Sequence, residues 1–121
     1  MATVTIYGTY ESESTRQAQD YFQDCDGSVR YVDLWARPMD AMVLYHFLWE
    51  FPVRELVDME GAAYQQLAGK RESVPDGELL SKIGSTPGLL RLPLVRCGGH
   101  LVVGNDERGW GRIAAGISSK G

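Results

Sequence analysis

Apolar and polar positions follow strand-like patterns near both ends of the chain and helical spacing between them. Val4, Thr5, Ile6 and Tyr7 form a run of β-formers stopped by Gly8, so a strand is expected there. A polar loop follows. Ala18, Tyr21, Phe22 and Cys25 then fall at i, i+3, i+4 and i+7, one face of a helix expected from about Ser14 to Asp24. Ser14 with Gln17 three residues on is a capping-box pattern, and Asp26-Gly27 is the expected stop. Val29 to Leu34 reads as a second strand. With a helix between them, the two strands can lie parallel as a right-handed β-α-β unit.

The middle of the chain is helical in pattern and carries most of the aromatic side chains. Pro38 is placed to open a helix through Trp49, in which Met42, Tyr45, His46 and Trp49 recur at helical spacing, and Phe51-Pro52 closes it. A second helix is expected to start near Val53 or Leu56 and reach Leu67, with Leu56, Ala63, Tyr64 and Leu67 inward and Gly61 as a weak point. Pro75-Asp76 opens a short helix with Leu79, Leu80 and Ile83 on its apolar side, and Gly84 to Gly88 interrupts. The last third changes period. Leu92 to Val95 and Leu101 to Val103 read as the arms of a hairpin turning at Cys97-Gly98-Gly99-His100. Glu107 to Ile117 reads as a closing helix weakened by Gly109, Gly111 and Gly116. No internal repeat or linker is visible, so residues 1–121 are expected to form a single domain with a helical insertion at about 38–86.

Length and composition narrow the function classes. A chain of 121 residues buries about two thirds of the surface its unfolded form exposes, enough to fold without a disulfide or metal. A hydrophobic content of 44% fits an ordinary core, while a net charge of −4 argues against nucleic acid or an anionic membrane as a direct partner. No apolar run approaches the roughly 20 residues of a membrane span, and no secretory signal is visible. Cys25 and Cys97 form neither a disulfide framework nor a CxxC pair, so a reducing cytoplasm is the expected location.

The loop after Gly8 is the main chemical candidate. It joins a strand end to a helix N-terminus, where free N–H groups and the helix dipole favour an anion or a thiolate, and it presents Tyr10, Ser12, Ser14, Thr15 and Arg16.

A β-α-β unit, a helical insertion, a β-hairpin and a final helix are the element sequence of a thioredoxin-like α/β fold. Ile6-Tyr7-Gly8, Thr15-Arg16, Tyr31 to Leu34, Arg54-Glu55-Leu56-Val57, Gly61-Ala62-Ala63-Tyr64, Leu89-Leu90, Pro93-Leu94-Val95 and Val103-Gly104 occur in order and spacing. In these stretches the chain resembles the glutaredoxin-coupled arsenate reductase and Spx family, from Val4 to about Ala115. The resemblance implies that Pro93 is a cis-proline facing the active loop. It also implies that a redox cysteine belongs where Ser12 stands, and in Spx-like members a second where Thr15 stands. A serine hydroxyl cannot cycle through a disulfide or a thiol-arsenate adduct. Asp58 replaces one of the family's anion-binding arginines and Leu92 another, with Arg91 one residue earlier, so only Arg16 remains in register. Arsenate reduction by the family mechanism is therefore not expected.

Two functions follow. The first is a redox-inactive, Spx-like interaction or regulatory module that binds a protein partner through the aromatic insertion. The alternative is an enzyme dependent on glutathione or another thiol cofactor, a reductase or transferase. In it Ser12 and Arg16 act in catalysis, and Tyr10, Ser14, Thr15, Arg91 and Pro93 help to hold a thiolate or anion. Against both stands the simpler reading that Ser12 or Ser14 only caps a helix. The remaining residues carry less. Cys25 is expected in the core and Cys97 exposed at its turn, open to oxidation. Cys97 with His100 is half a metal site at most, so no metal is expected. Among Trp35, Tyr45, Phe47, Trp49 and Phe51, most are expected in the core, with a few outward as a contact patch.

Overall fold

The computed structural model describes residues 3–23 and 27–118. Asp24, the expected end of the first helix, lies outside the described residues, as do Cys25 and Asp26. The chain divides into two compact units, one formed by the chain up to Leu34 and again from Leu92, the other by Trp35–Arg91.

The first unit is a mixed four-stranded sheet with two helices. Strand β1 (Thr3–Gly8) leads through helix α1 (Glu13–Phe22) to β2 (Ser28–Asp33), which pairs parallel to β1 with Thr3 opposite Ser28 and Gly8 opposite Asp33. After the second unit, β3 (Leu94–Cys97) pairs antiparallel to β1, and β4 (His100–Val103) antiparallel to β3, giving the order β2-β1-β3-β4. Helix α6 (Glu107–Ser118) closes the unit.

Alternation along the strands decides which side chains meet the helices. Val4 and Ile6 of β1, Val95 and Cys97 of β3 and Val102 of β4 pack with Ala18 and Phe22 of α1 and with Trp110, Ile113 and Ile117 of α6 in one core. Tyr21 and Phe22 stand edge to face, and Tyr21 also meets Trp110, with ring centroids 5.7 Å apart. Two of the three glycines of α6 are explained by packing, whereas a Cβ at Gly116 would meet nothing. A Cβ at Gly109 would lie 2.7 Å from Val102 Cγ1, and one at Gly111 would lie 3.3 Å from the Tyr21 hydroxyl. Asp106 accepts a hydrogen bond from the Gly109 N–H at 3.0 Å, anchoring the first turn, and the helix runs on to Ser118.

The hairpin differs from its expected frame. The third strand starts two residues later than expected, after Pro93, which has no N–H to give to a ladder. Gly98 and Gly99 alone make the turn, with Gly98 at φ +59°, and Cys97 pairs with His100. Cys97 is therefore buried in the core, not exposed at the turn.

In the second unit, α2 (Ala41–Glu50) starts three residues beyond Pro38, because the Asp40 carboxylate accepts the Met42 N–H at 2.8 Å and sets the cap there. Val43 and Phe47 are its buried residues. Met42, Tyr45 and Trp49 lie on the outer side, 65%, 59% and 80% exposed, and Trp35 is also exposed. The expectation that most of the aromatic cluster is core does not hold: Phe47 is buried and Phe51 half-buried against it, with centroids 6.5 Å apart. A helix apolar on every side gives no periodic signal of which side is covered.

The expected helix from Val53 or Leu56 to Leu67 is two, α3 (Val53–Leu56) and α4 (Ala62–Ala68). Between them Val57 bridges Leu90, and Asp58 donates its N–H to the Leu89 carbonyl at 2.8 Å. The Asp58 carboxylate accepts the Glu60 N–H and lies where a Cβ on Gly61 would stand, 2.8 Å away, so the break falls at the glycine. Helix α5 (Asp76–Lys82) buries Leu79, with Ile83 buried just beyond it, whereas Leu80 points outward, contrary to expectation. Tyr64 accepts the Val74 N–H at 3.1 Å. Arg54 donates to the Val74 carbonyl and pairs with Asp76 at 2.7 Å.

Candidate functional site

The loop between β1 and α1 is fixed from both ends. Gly8 closes the strand, its carbonyl accepting the Leu34 N–H at 2.9 Å, and the Thr15 side chain fills the space where a Cβ on Gly8 would stand. The Ser12 N–H donates to the Thr9 carbonyl at 3.1 Å, closing a tight turn. Ser12 then becomes the N-cap, with extended backbone (φ −80°, ψ 115°), its Oγ accepting the Thr15 N–H at 3.2 Å and its carbonyl accepting that of Arg16. The helix starts two residues earlier than the Ser14–Gln17 pattern predicts, and Ser12, not Ser14, is its cap. A cap requires the residue ahead of the helix to be extended, and the Thr9 turn delivers Ser12 in that conformation.

Each candidate side chain has a definite place. Tyr10 is exposed, and its carbonyl accepts a hydrogen bond from the Arg16 guanidinium at 2.7 Å, a link that braces the loop across six residues. No sequence signal announces that link. Thr15 is fully buried, and its Oγ1 has no hydrogen-bond partner. The backbone N–H groups of Glu13 and Ser14 have no partner among the described residues, as expected of a helix's first turn. Glu11 and Glu13 are exposed on either side of Ser12 and lower the local potential for an anion.

Pro93 is buried, and the Leu92–Pro93 peptide is cis, as the family resemblance implies. The β1–β3 register pairs Tyr7 with Leu94, so one further step brings Pro93 to the end of β1 where the loop begins. Arg91 belongs to the second unit. There its N–H donates to the Leu56 carbonyl at 2.8 Å and its guanidinium to the Glu55 carbonyl at 3.4 Å. Asp58, where the family resemblance implies an arginine, is engaged with its own turn. His46 is exposed, its ring centroid 6.1 Å from that of Trp49. Among the described residues, no group of three or more His, Cys, Asp or Glu side chains is arranged to hold a metal.

Ser12 keeps one chemical option. Its oxygen accepts the cap hydrogen bond, so its own O–H remains a donor for something outside the helix. With the Glu13 and Ser14 N–H groups, the loop can give an incoming anion or thiolate three hydrogen bonds and the positive end of the α1 dipole. It cannot itself supply a thiolate.

A parallel β-α-β start, an antiparallel hairpin and a closing helix on one four-stranded sheet make this a thioredoxin-like α/β protein. Within that class, residues 7–113 match the ArsC family, and the chain belongs to it. Solved structures of the same fold include a YffB protein (TM-score 0.79, 14% identity, 92% of this chain and 98% of that one). They also include an arsenate reductase related protein from Brucella melitensis (TM-score 0.69, 22% identity, 91% and 92%). A third is an arsenate reductase from Vibrio cholerae (TM-score 0.72, 15% identity, 95% and 97%). At these identities the likeness is one of fold. No curated protein matches the sequence. Among the described residues no helix is long and apolar enough to cross a membrane.

Proposed function

We propose that this ArsC-family protein works by binding a protein partner, as an Spx-like regulatory module, and not by cysteine-based arsenate reduction. The observation that carries the reading is Ser12: it stands where the family resemblance places the redox cysteine, and its oxygen caps α1. The reading takes both units as one ArsC-type domain, with the stretch around 38–86 as its insertion. It places the protein in the cytoplasm, in keeping with two cysteines that form no framework. The exposed Tyr45 and Trp49 of the insertion, with Trp35 just ahead of it, are the contact candidates, since aromatic side chains dominate interface energetics. Arsenate-dependent oxidation of glutathione in the presence of glutaredoxin tests the redox half of the reading. Turnover above the protein-free rate that disappears in Ser12→Ala would overturn it.

The free Ser12 O–H and the unpaired Glu13 and Ser14 N–H groups favour a second reading, in which the loop holds glutathione or another thiol as a thiolate for reductase or transferase chemistry. Glutathione titrated into the labelled protein distinguishes the two. Saturable amide shifts confined to residues 9–16 and the neighbourhood of Pro93 support the thiol site. Silence at millimolar ligand leaves the binding module.

A further inference from the structure

The sheet of the first unit has a second face, and the strand registers place two arginines on it side by side. Thr5 of β1 stands opposite Arg30 of β2 and opposite Arg96 of β3. Directly paired residues share a face, so the three side chains form one row across three strands, on the side away from the α1–α6 core that takes Val4, Ile6, Val95 and Cys97. Thr5 in the middle is buried, Arg96 is half-buried and Arg30 is exposed. At about 4.8 Å per strand, the two arginine backbones are about 10 Å apart, a gap that two long side chains close from either side.

Arg16, Arg54, Arg71 and Arg91 donate to carbonyls or carboxylates. Arg37, Arg108 and Arg112 have no such partner among the described residues but are exposed outside the sheet, whereas Arg30 and Arg96 share one row of it. Neither Arg30 nor Arg96 has an ion pair or hydrogen-bond partner among the described residues. Arg30 and Arg96 stand on the strands either side of β1, so the space above Thr5 lies between the two charges. This happens in a protein of net charge −4, whose overall field does nothing to gather anions, so the attraction has to be local.

We propose that Arg30 and Arg96 form an oxyanion site over Thr5, separate from the α1 loop, that takes a single tetrahedral group such as a phosphate or a phosphate monoester. A guanidinium presents two parallel N–H groups that match two oxygens of such a group, and two guanidinia from opposite sides satisfy all four. A long polyanion is disfavoured by the protein's negative charge, which leaves a compact ligand as the fitting one.

Inorganic phosphate titrated at constant ionic strength into the labelled full chain tests this, with chloride as the control and backbone amide and Arg side-chain Nε–H shifts as the readout. The expected result is saturable movement at Thr5, Arg30 and Arg96, at least tenfold weaker affinity in Arg30→Gln/Arg96→Gln, and partial retention in Arg30→Lys/Arg96→Lys. Phosphate should also raise the melting temperature of the wild type but not of the double glutamine variant, a linkage readout that works even where that variant is less stable. Three results overturn the proposal: shifts that never saturate or that chloride reproduces, shifts unchanged in the double glutamine variant, or saturable shifts confined to residues 9–16.

Discussion

Ser12 and Thr15, the two positions at which the family resemblance places cysteines, are joined by the cap of α1: the Ser12 Oγ accepts the Thr15 N–H at 3.2 Å. Losing that bond leaves an N–H of the first turn unpaired, so Ser12→Ala should cost about 1 kcal/mol, and Ser12→Asn should recover most of it. Thermal unfolding is the check, with an expected fall of about 4 °C for the alanine variant in a domain of this size. An unchanged melting temperature would show that the cap contributes nothing.

The pairing of Gly8 with Thr15 gives a second prediction. The Thr15 side chain fills the space a Cβ would need at Gly8, so Gly8→Ala should destabilise by about 1–3 kcal/mol, the range for overpacking a closed site. Combined with Thr15→Ala the loss should be less than additive, with a coupling of about 1 kcal/mol in denaturant unfolding. Because the buried Thr15 hydroxyl has no partner, Thr15→Val should be neutral or stabilising by up to about 1 kcal/mol.

These two contacts also show what a sequence can tell. The strand ending at Gly8, the helix after it and the parallel second strand follow from short-range signals: β-formers, a glycine stop and a 3.6-residue period. That Ser12 caps instead of Ser14 depends on the Thr9 turn, which extends Ser12 and fixes the helix start two residues early. In the second unit, α2 is apolar all round, and the choice of Val43 and Phe47 over Met42, Tyr45 and Trp49 for burial is made by tertiary packing. Gly109 and Gly111 look like helix weakeners until Val102 and Tyr21 are seen to need the space. The row formed by Arg30, Thr5 and Arg96 is invisible without the strand register, because the three residues are far apart in the chain.

Burial of Cys97 in the core of the first unit predicts a slow thiol. In a Cys25→Ser background, where only Cys97 can react, modification by a disulfide reagent should be at least about tenfold slower in the native protein than in urea, since it requires opening of the hairpin. Equal rates would mean that the β3–β4 end of the sheet opens freely.

Stability at acid pH should depend on one exposed pair. Arg71 donates to both carboxylate oxygens of Glu78 at 2.9 Å. That hydrogen bonding holds the Glu78 carboxyl below the usual carboxylate range. A carboxyl with a lowered folded pKa contributes stability above its unfolded value of about 4.3 and loses it as the pH falls through the folded value. Melting temperatures should therefore fall between about pH 5 and 3 by more in the wild type than in Glu78→Gln. Salt should shrink the difference, because the pair faces solvent. Parallel acid limbs in the two proteins would show that the pair contributes nothing to folding.

The strongest test of the loop is to restore what it lacks. In Ser12→Cys the new sulfur takes the N-cap position at the positive end of α1, beside the Glu13 and Ser14 N–H groups. A helix N-terminus lowers a thiol pKa from its ordinary value of about 8.5, so alkylation of Cys at this position should level off at a pH at least about one unit lower than for a free thiol. Glu11 and Glu13 oppose the shift and set its size; neutralising them with Glu11→Gln and Glu13→Gln should lower the midpoint further. Acidity alone does not make a reductase. With Asp58 committed to its own turn and Leu92 uncharged, two of the arginines that the family resemblance implies stay absent, so the variant should react with alkylating agents yet fail to couple arsenate to glutathione oxidation. Arsenate turnover in Ser12→Cys would show that the rest of the loop still forms a working oxyanion site, and would shift the interpretation of the wild type from a binding module towards an enzyme that lost a single atom of its chemistry.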